Sequence, residues 1–237
     1  MSFRVPLLSF CLVVLSLSNW ASADIIVEYE PVDNSRANRS LSGTNVSGFV
    51  TADDLTAGLG LAGKKTSGWK WIEWDSASTS FADAVAAEDV WTWGYDIDDD
   101  VRIRAESLEF KVDPNADAPD NLEIRMTVNG AKERVVFTHD FAGNNAPAEF
   151  FVDLTPFTSN AVQGDSIEFT FAGFNSQSDS GSLILQAFDG ATGLRVTGSV
   201  SVPEPASIGL VAGIAGFVIV RRRRKKKIEL AKADQAA

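Results

Sequence analysis

The sequence predicts an all-β protein whose main domain is an antiparallel β-sandwich of jelly-roll type. Short runs such as 122–128 (LEIRMTV) and 167–171 (IEFTF) alternate apolar and polar residues, and this period of two is typical of strands with one buried face. Turn-forming residues separate the runs, and helical patterns are almost absent. About ten strands with turns between them are typical of a β-sandwich.

The beginning of this domain is predicted to combine short strands with polar loops. Residues 25–29 and 48–51 are predicted as strands, and the polar segment 34–47 between them as a loop. A capping-box pattern that starts at Ser80 predicts one short helix over 81–88. This helix is the only one that the pattern indicates in the domain.

Five of the six tryptophans lie between residues 69 and 93 and invite two interpretations. Alternation over 69–74 places Trp69 and Trp71 on one face with Glu73, and Trp74 on the other face. The indoles either fill the core of a sandwich without disulfides, or form a platform that stacks on sugar rings, with ~6–7 Å between neighbours on one face. The platform residues would be Trp69, Trp71, Trp91 and Trp93. Core packing is the favoured interpretation.

The second half of the domain is predicted to be strands throughout. The alternation in 101–112 changes phase near Ser107, which predicts a β-bulge. Asn129-Gly130 predicts a hairpin that joins the strand 122–128 to a partner at 134–139. Further strands are predicted at 149–154, 167–171, 183–188 and 194–200. The predicted sandwich therefore spans residues 24–200, which we call the ectodomain.

One predicted turn has the residue types of a calcium site. Asp113, Asn115 and Asp117 occupy alternate positions, and carboxylate and amide oxygens are the ligands that Ca²⁺ prefers. The twelfth position of such a loop is Ile124, so the segment is not an EF-hand. A solvated acidic turn is the favoured alternative, and the sequence indicates no other cofactor.

Catalytic patterns are weak. The single histidine, His139, has no nucleophile motif around it and is predicted to be a surface residue at a strand end. Glycoside hydrolysis needs two carboxylates close together in space, and an acidic chain offers many. The generic candidates are Glu73, Asp75, Glu106 and Glu109. Charged outer faces explain these residues better, so the sequence predicts a protein that is not an enzyme.

The first 23 residues have the features of a secretory signal peptide. Arg4 supplies a positive charge, and residues 7–17 form an apolar core. Ala21 and Ala23 flank Ser22 in a small-residue cleavage site. The sequence therefore predicts an exported protein.

Export changes how the composition is interpreted. The only cysteine, Cys11, lies in the signal peptide, so the mature chain can form no disulfide. Of 21 basic and 32 acidic residues, Arg4 and the eight cations and two anions after Val220 lie outside the ectodomain. The remainder, residues 24–220, has 12 basic and 30 acidic residues, a net charge of −18. Without Glu204, the ectodomain itself has a net charge of −17. Such a domain repels nucleic acid, and no nucleic-acid partner is expected.

The C-terminal segment combines three features in order. Pro203, Glu204 and Pro205 hold the chain extended. The uncharged segment 206–220 is predicted as a transmembrane helix of roughly 22 Å, short for a hydrocarbon core of ~30 Å. The basic cluster that follows favours the cytoplasmic side. It consists of Arg221, Arg222, Arg223, Arg224, Lys225, Lys226 and Lys227. A cytoplasmic tail at 228–237 completes the chain.

This segment, 201–227, resembles the PEP-CTERM sorting signal of Gram-negative bacteria. The resemblance implies that an exosortase, a membrane-embedded sorting protease, recognises Pro203, Glu204 and Pro205. It also implies an anchored precursor that is later displayed at the cell surface or in the extracellular polysaccharide matrix. The function predicted is a structural or binding protein of the cell envelope. The alternatives are a calcium-dependent carbohydrate-binding module and, less favoured, a polysaccharide hydrolase.

Overall fold

A computed structural model describes residues 24–31, 39–45, 47–64, 69–98, 101–141, 143–158 and 164–201. The predicted signal peptide, the segment from Val202 to Lys227 and the tail 228–237 lie outside the described residues. The chain divides after Ser201 into two compact units, and the described residues all belong to the first. Among them, no helix combines the length and apolar character needed to cross a membrane.

The described part of the chain is almost entirely β-structure, with one short helix, α1 (Phe81–Ala86). The strands are β1 (Asp24–Tyr29), β2 (Ser40–Leu41), β3 (Gly43–Asn45), β4 (Val50–Ala52), β5 (Leu55–Ala57), β6 (Ala62–Gly63), β7 (Trp69–Ile72), β8 (Val90–Ile97), β9 (Arg102–Pro114), β10 (Pro119–Val128), β11 (Arg134–Asp140), β12 (Ala148–Asp153), β13 (Ser166–Ser176), β14 (Ser182–Gln186) and β15 (Leu194–Ser201). The predicted loop 34–47 is partly wrong, because β2 and β3 lie within it.

The strands form two antiparallel sheets. The first sheet has the order β3-β1-β15-β9-β14-β7-β6, and β12 also pairs with β9. The second sheet has the order β11-β10-β13-β8-β5-β2, and β4 also pairs with β8. All of these strand pairs are antiparallel.

The connectivity of the longest strands is that of a jelly roll. Within the two sheets, β1-β15-β9-β12 and β8-β13-β10-β11 are four-stranded sets. The chain changes sheet from β8 to β9, from β9 to β10, from β11 to β12 and from β12 to β13. Among these eight strands, only β10 and β11 form a hairpin within one sheet. Repeated crossing between two sheets of four strands defines the jelly-roll arrangement. The predicted fold class, an all-β antiparallel sandwich, is confirmed.

Aromatic rings fill the space between the sheets. Trp91 of β8 stacks on Phe171 of β13, with centroids 4.6 Å apart and an interplanar angle of 16°. Trp93 stacks on Phe169 in the same way at 5.2 Å. The two residues of each pair lie directly opposite each other in the β13–β8 register, and aromatic pairs in this position stabilise a sheet.

Two local predictions are confirmed by the strand registers. Along β9, Ser107 pairs with Thr197 and Ala105 pairs with Gly198, so Glu106 is the extra residue of a bulge. Asn129 and Gly130 have φ angles of 53° and 62°. Two consecutive positive φ values are what a type I′ turn requires, which explains why Asn-Gly occurs between β10 and β11.

Helix α1 begins as predicted and ends earlier than predicted. Ser80 is the N-cap residue, and its hydroxyl accepts a hydrogen bond from the Asp83 amide. The helix ends at Ala86 instead of Glu88. Its buried residues pack on the outer face of the second sheet, in a small cluster of Phe81, Ala84, Val90 and Ala172.

The aromatic core leads to a test with a matched control. The Phe171 ring is 1% exposed and stacks on Trp91, whereas the Phe151 ring is 72% exposed. We expect Phe171→Ala to lower the free energy of unfolding by ~3–5 kcal/mol. Phe151→Ala should change it by less than ~0.5 kcal/mol. Urea unfolding of residues 24–201 measures both, and equal losses would contradict this assignment of the core.

Candidate functional site

The tryptophans proposed as a sugar platform lie in the core. Trp69 and Trp71 are 0% exposed, Trp91 is 1% exposed and Trp93 is 3% exposed. Trp69 of the first sheet and Trp91 of the second have ring centroids 5.2 Å apart, so these rings meet between the sheets. The platform hypothesis is therefore wrong, because buried rings are not accessible to a polysaccharide.

Trp74 departs from the predicted alternation. It is also 0% exposed, although the alternation placed it on the face opposite Trp69 and Trp71. Glu73 has a φ of 69°, which interrupts the strand just before Trp74. Because this positive φ breaks the alternation, the Trp74 side chain also lies in the core. Its ring centroid is 5.7 Å from that of Trp91.

The three residues of the proposed calcium turn form hydrogen bonds with β14 and with the segment just before it. Asp113 accepts a hydrogen bond from the Gln186 side chain at 2.7 Å. Asn115 accepts one from the Ser182 amide at 2.8 Å, and Asp117 accepts one from the Ser180 hydroxyl at 3.2 Å. Within the described residues, no three histidine, cysteine or acidic side chains group as a metal site. The calcium site itself stays a prediction.

His139 is half-buried in a cluster of phenyl rings instead of lying on the surface. Its ring centroid is 4.6 Å from that of Phe141 and 4.7 Å from that of Phe150. Burial lowers the pKa of His139, and the nearby charge of Asp140 partly opposes this effect. The sequence did not indicate this environment, because β12, which contributes Phe150, follows a connection after β11.

The four generic carboxylate candidates occupy different parts of the molecule. Glu73 and Asp75 follow β7 and line an open groove of about 580 Å³ with Asp179. Glu106 is the extra residue of the β9 bulge. Glu109, on the same strand, belongs to a hydrogen-bonded network on the outer face of the first sheet.

This network, which we call the Arg195 network, joins Ser107, Glu109, Asp189, Arg195 and Thr197. The Arg195 Nε and Nη2 atoms donate to Glu109 Oε2 at 3.0 and 2.7 Å, and Nη1 donates to Asp189 Oδ2 at 2.7 Å. Ser107 Oγ donates to Glu109 Oε1 at 3.0 Å. Because a hydroxyl has a single proton, Thr197 is then the donor in its 2.6 Å contact with Ser107.

Strand register explains why these residues meet. Arg195 pairs with Glu109 and Thr197 pairs with Ser107 along β15 and β9. On the other side of β9, Phe151 of β12 pairs with Glu109. The exposed ring of Phe151 therefore lies beside the network, two strands from Arg195 and about 10 Å away at the usual strand spacing.

The guanidinium of Arg195 is held in place from several directions. Its Cζ atom lies 5.1 Å from the ring centroid of Phe188, close enough for a cation–π contact. The side chains of Arg195 and Glu109 retain 21% and 16% exposure. The pair is therefore fixed but still accessible, and hydrogen bonds between charged groups are stronger than those between neutral ones.

The outer face of the second sheet is chemically different. A groove of about 280 Å³ lies there, and its polar lining residues are Asp53, Asp54, Thr92, Glu168 and Thr170. Burial raises the pKa of Asp53, and the charges of Asp96 and Asp54 add to this effect. This groove is dominated by carboxylates, whereas the Arg195 network combines donors and acceptors. The network can therefore bind neutral polar groups, and we regard it as the candidate site.

The comparisons with known proteins add one result for the C-terminus. Residues 201–225 match the family model for the PEP-CTERM protein-sorting motif. The matched segment begins at Ser201, the last residue of β15. The predicted resemblance of the C-terminal segment is therefore confirmed. No curated protein matches the chain.

Similarity to solved structures is remote. A xylan-binding module, CBM15, aligns over 74% of this chain and 97% of its own, at 10% identity and a TM-score of 0.36. A family 29 carbohydrate-binding module from Piromyces equi aligns over 80% and 99%, at 10% identity and a TM-score of 0.38. Murine APRIL aligns over 75% and 99%, at 11% identity and a TM-score of 0.30. Similarities this low carry no argument about function.

The calcium turn can be tested by thermal denaturation. Because the oxygens of Asp113, Asn115 and Asp117 already accept hydrogen bonds within the chain, we expect the same Tm with millimolar calcium and with chelator. Asn115→Ala should lower Tm in both conditions, because the Ser182 amide loses its acceptor. A Tm raised by calcium, and no longer raised in an Asp113→Ala, Asp117→Ala double variant, would establish the site instead.

The environment of His139 predicts a pH dependence of stability. A lowered folded-state pKa means that the folded chain binds this proton less readily than the unfolded chain. The stabilisation of the folded state by this pKa difference is fully present above the unfolded pKa of about 6.5. It decreases as the pH falls below that value. His139→Phe preserves an aromatic ring and removes the proton. Its stability relative to wild type should increase from about pH 7.5 to about pH 5.5 in urea unfolding. Parallel pH profiles would contradict this assignment.

Proposed function

We propose that this protein is an exported protein of the cell envelope or extracellular matrix that is sorted through its C-terminal signal. The observation that carries the proposal is the PEP-CTERM motif at 201–225. Such a motif has a use only on a chain that is delivered across a membrane. The residues at 1–23, with the pattern of a signal peptide, support the same route.

The chemistry of the C-terminal segment supports a transient anchor. The apolar segment 206–220 is short for a bilayer, and mismatch costs only fractions of a kcal/mol per Å, so the precursor is still held. The seven cations at 221–227 favour the cytoplasmic side of the inner membrane. Pro203 and Pro205 keep Glu204 in an extended backbone, which suits binding to a protease cleft. The partner of this segment is then an exosortase-type protease.

We further propose that the ectodomain has a structural or binding role instead of a catalytic one. Glu109, one of the four generic acid candidates, accepts hydrogen bonds from Arg195 and Ser107. A carboxylate fixed in this way is suited to binding and poorly suited to proton transfer. The alternative of a carbohydrate-binding module no longer has the tryptophan platform as support, so any sugar site must use other residues.

The sorting proposal is tested by substituting the motif in the native host. Replacing Pro203, Glu204 and Pro205 together with alanine should leave the full-length precursor in the membrane fraction. Wild-type protein should be found at the surface or in the medium. Deletion of 228–237 is the matched control, because it shortens the C-terminus and leaves the matched motif intact. Fractionation followed by immunoblotting measures the distribution. If the triple variant leaves the membrane as wild type does, the motif is not the sorting signal.

A further inference from the structure

We propose that the outer face of the first sheet, around Phe151 and the Arg195 network, binds a neutral polysaccharide. The inference rests on the proposed export of the ectodomain, because only an exported domain encounters such a polymer. It replaces the tryptophan platform with a different set of residues. The sequence did not single out Phe151, Arg195 or Thr197.

The first argument is the exposure of Phe151. Its side chain is 72% exposed on β12, although nearby Phe150 packs against the core. A single exposed apolar residue is common on protein surfaces, so the position of Phe151 beside the Arg195 network is what makes it a candidate. A ring lying on a sheet face offers a flat apolar surface, which complements the apolar C–H face of a sugar ring.

The second argument is the hydrogen-bonding capacity left in the network. A guanidinium has five N–H groups and a carboxylate about four acceptor positions. Among the described residues, Arg195 uses three N–H groups and Glu109 accepts three hydrogen bonds. Two donors and about one acceptor position therefore stay available in a fixed geometry. A sugar hydroxyl both donates and accepts, so it can use both kinds of group.

The third argument is the arrangement across the strands. Phe151, Glu109 and Arg195 occupy one row across β12, β9 and β15. The row extends about 10 Å at the usual strand spacing, which is comparable to the length of a disaccharide. One sugar can stack on Phe151 while the next one contacts Glu109 and Arg195. A polymer can continue along the face without entering a closed pocket.

The fourth argument is charge, which favours a neutral polymer. The ectodomain has a net charge of −17, and an anionic polymer would be repelled at long range. The outer face of the first sheet nevertheless carries a large share of the 12 basic residues. They are Lys70, Arg102, Arg104, Lys111 and Arg195. Acidic residues such as Glu109 and Glu149 lie among them, so this face has mixed charge and no strong field of one sign.

The test is native gel electrophoresis of the full-length chain in mild detergent. Gels contain hydroxyethyl cellulose, arabinoxylan or barley β-glucan, with alginate as the anionic comparison. We expect retardation by at least one neutral polymer and none by alginate. Phe151→Ala should weaken the retarding interaction about tenfold, equivalent to about 1.4 kcal/mol. Glu109→Gln should also weaken it.

Leu59→Ala provides the matched control, because Leu59 is also 72% exposed and lies outside the first sheet's outer face. This variant should be retarded as wild type. Absence of retardation by all three neutral polymers, or equal retardation of wild type and Phe151→Ala, would overturn the proposal. So would a wild-type dimer that Phe151→Ala converts to a monomer in analytical ultracentrifugation, since the face would then join two copies. None of these outcomes depends on C-terminal processing, so failure here is distinct from failure of the sorting proposal.

Discussion

The structure depends on packing aromatic rings between two sheets without the help of a disulfide. Trp69 contacts Trp71 within the first sheet and Trp91 of the second sheet, and Trp91 in turn stacks on Phe171. Aromatic side chains bury a large area each, and their pairwise contacts add ~0.5–1.5 kcal/mol. This requirement for apolar volume explains why the five tryptophans between residues 69 and 93 are buried and cannot contact a ligand at the surface. The outer faces are then left for charged and polar residues.

The sequence predicted the parts of the fold that local chemistry determines. Alternation identified the long strands, Asn129-Gly130 identified the hairpin, and the phase change at Ser107 identified the bulge. The candidate site could not be predicted in this way. Arg195 and Glu109 are 86 residues apart and meet only through the register of β9 and β15. Phe151 is part of an ordinary strand pattern, and its exposure follows from which face of β12 meets the core.

The ectodomain and the C-terminal segment differ in their chemistry. The ectodomain folds by burial and presents two outer faces, one dominated by carboxylates and one of mixed charge. The C-terminal segment carries the sorting motif and the basic cluster. The net charge of −17 on this domain favours its solubility.

The central proposal is that the chain is exported and sorted through its C-terminal signal, which implies processing at both ends. Its most direct test is the intact mass of the mature wild-type protein recovered from the native host. The account predicts a chain that begins at Asp24 and lacks Arg221 to Ala237. A mature protein with an intact C-terminus would contradict it, and the C-terminal segment would then be a permanent membrane anchor.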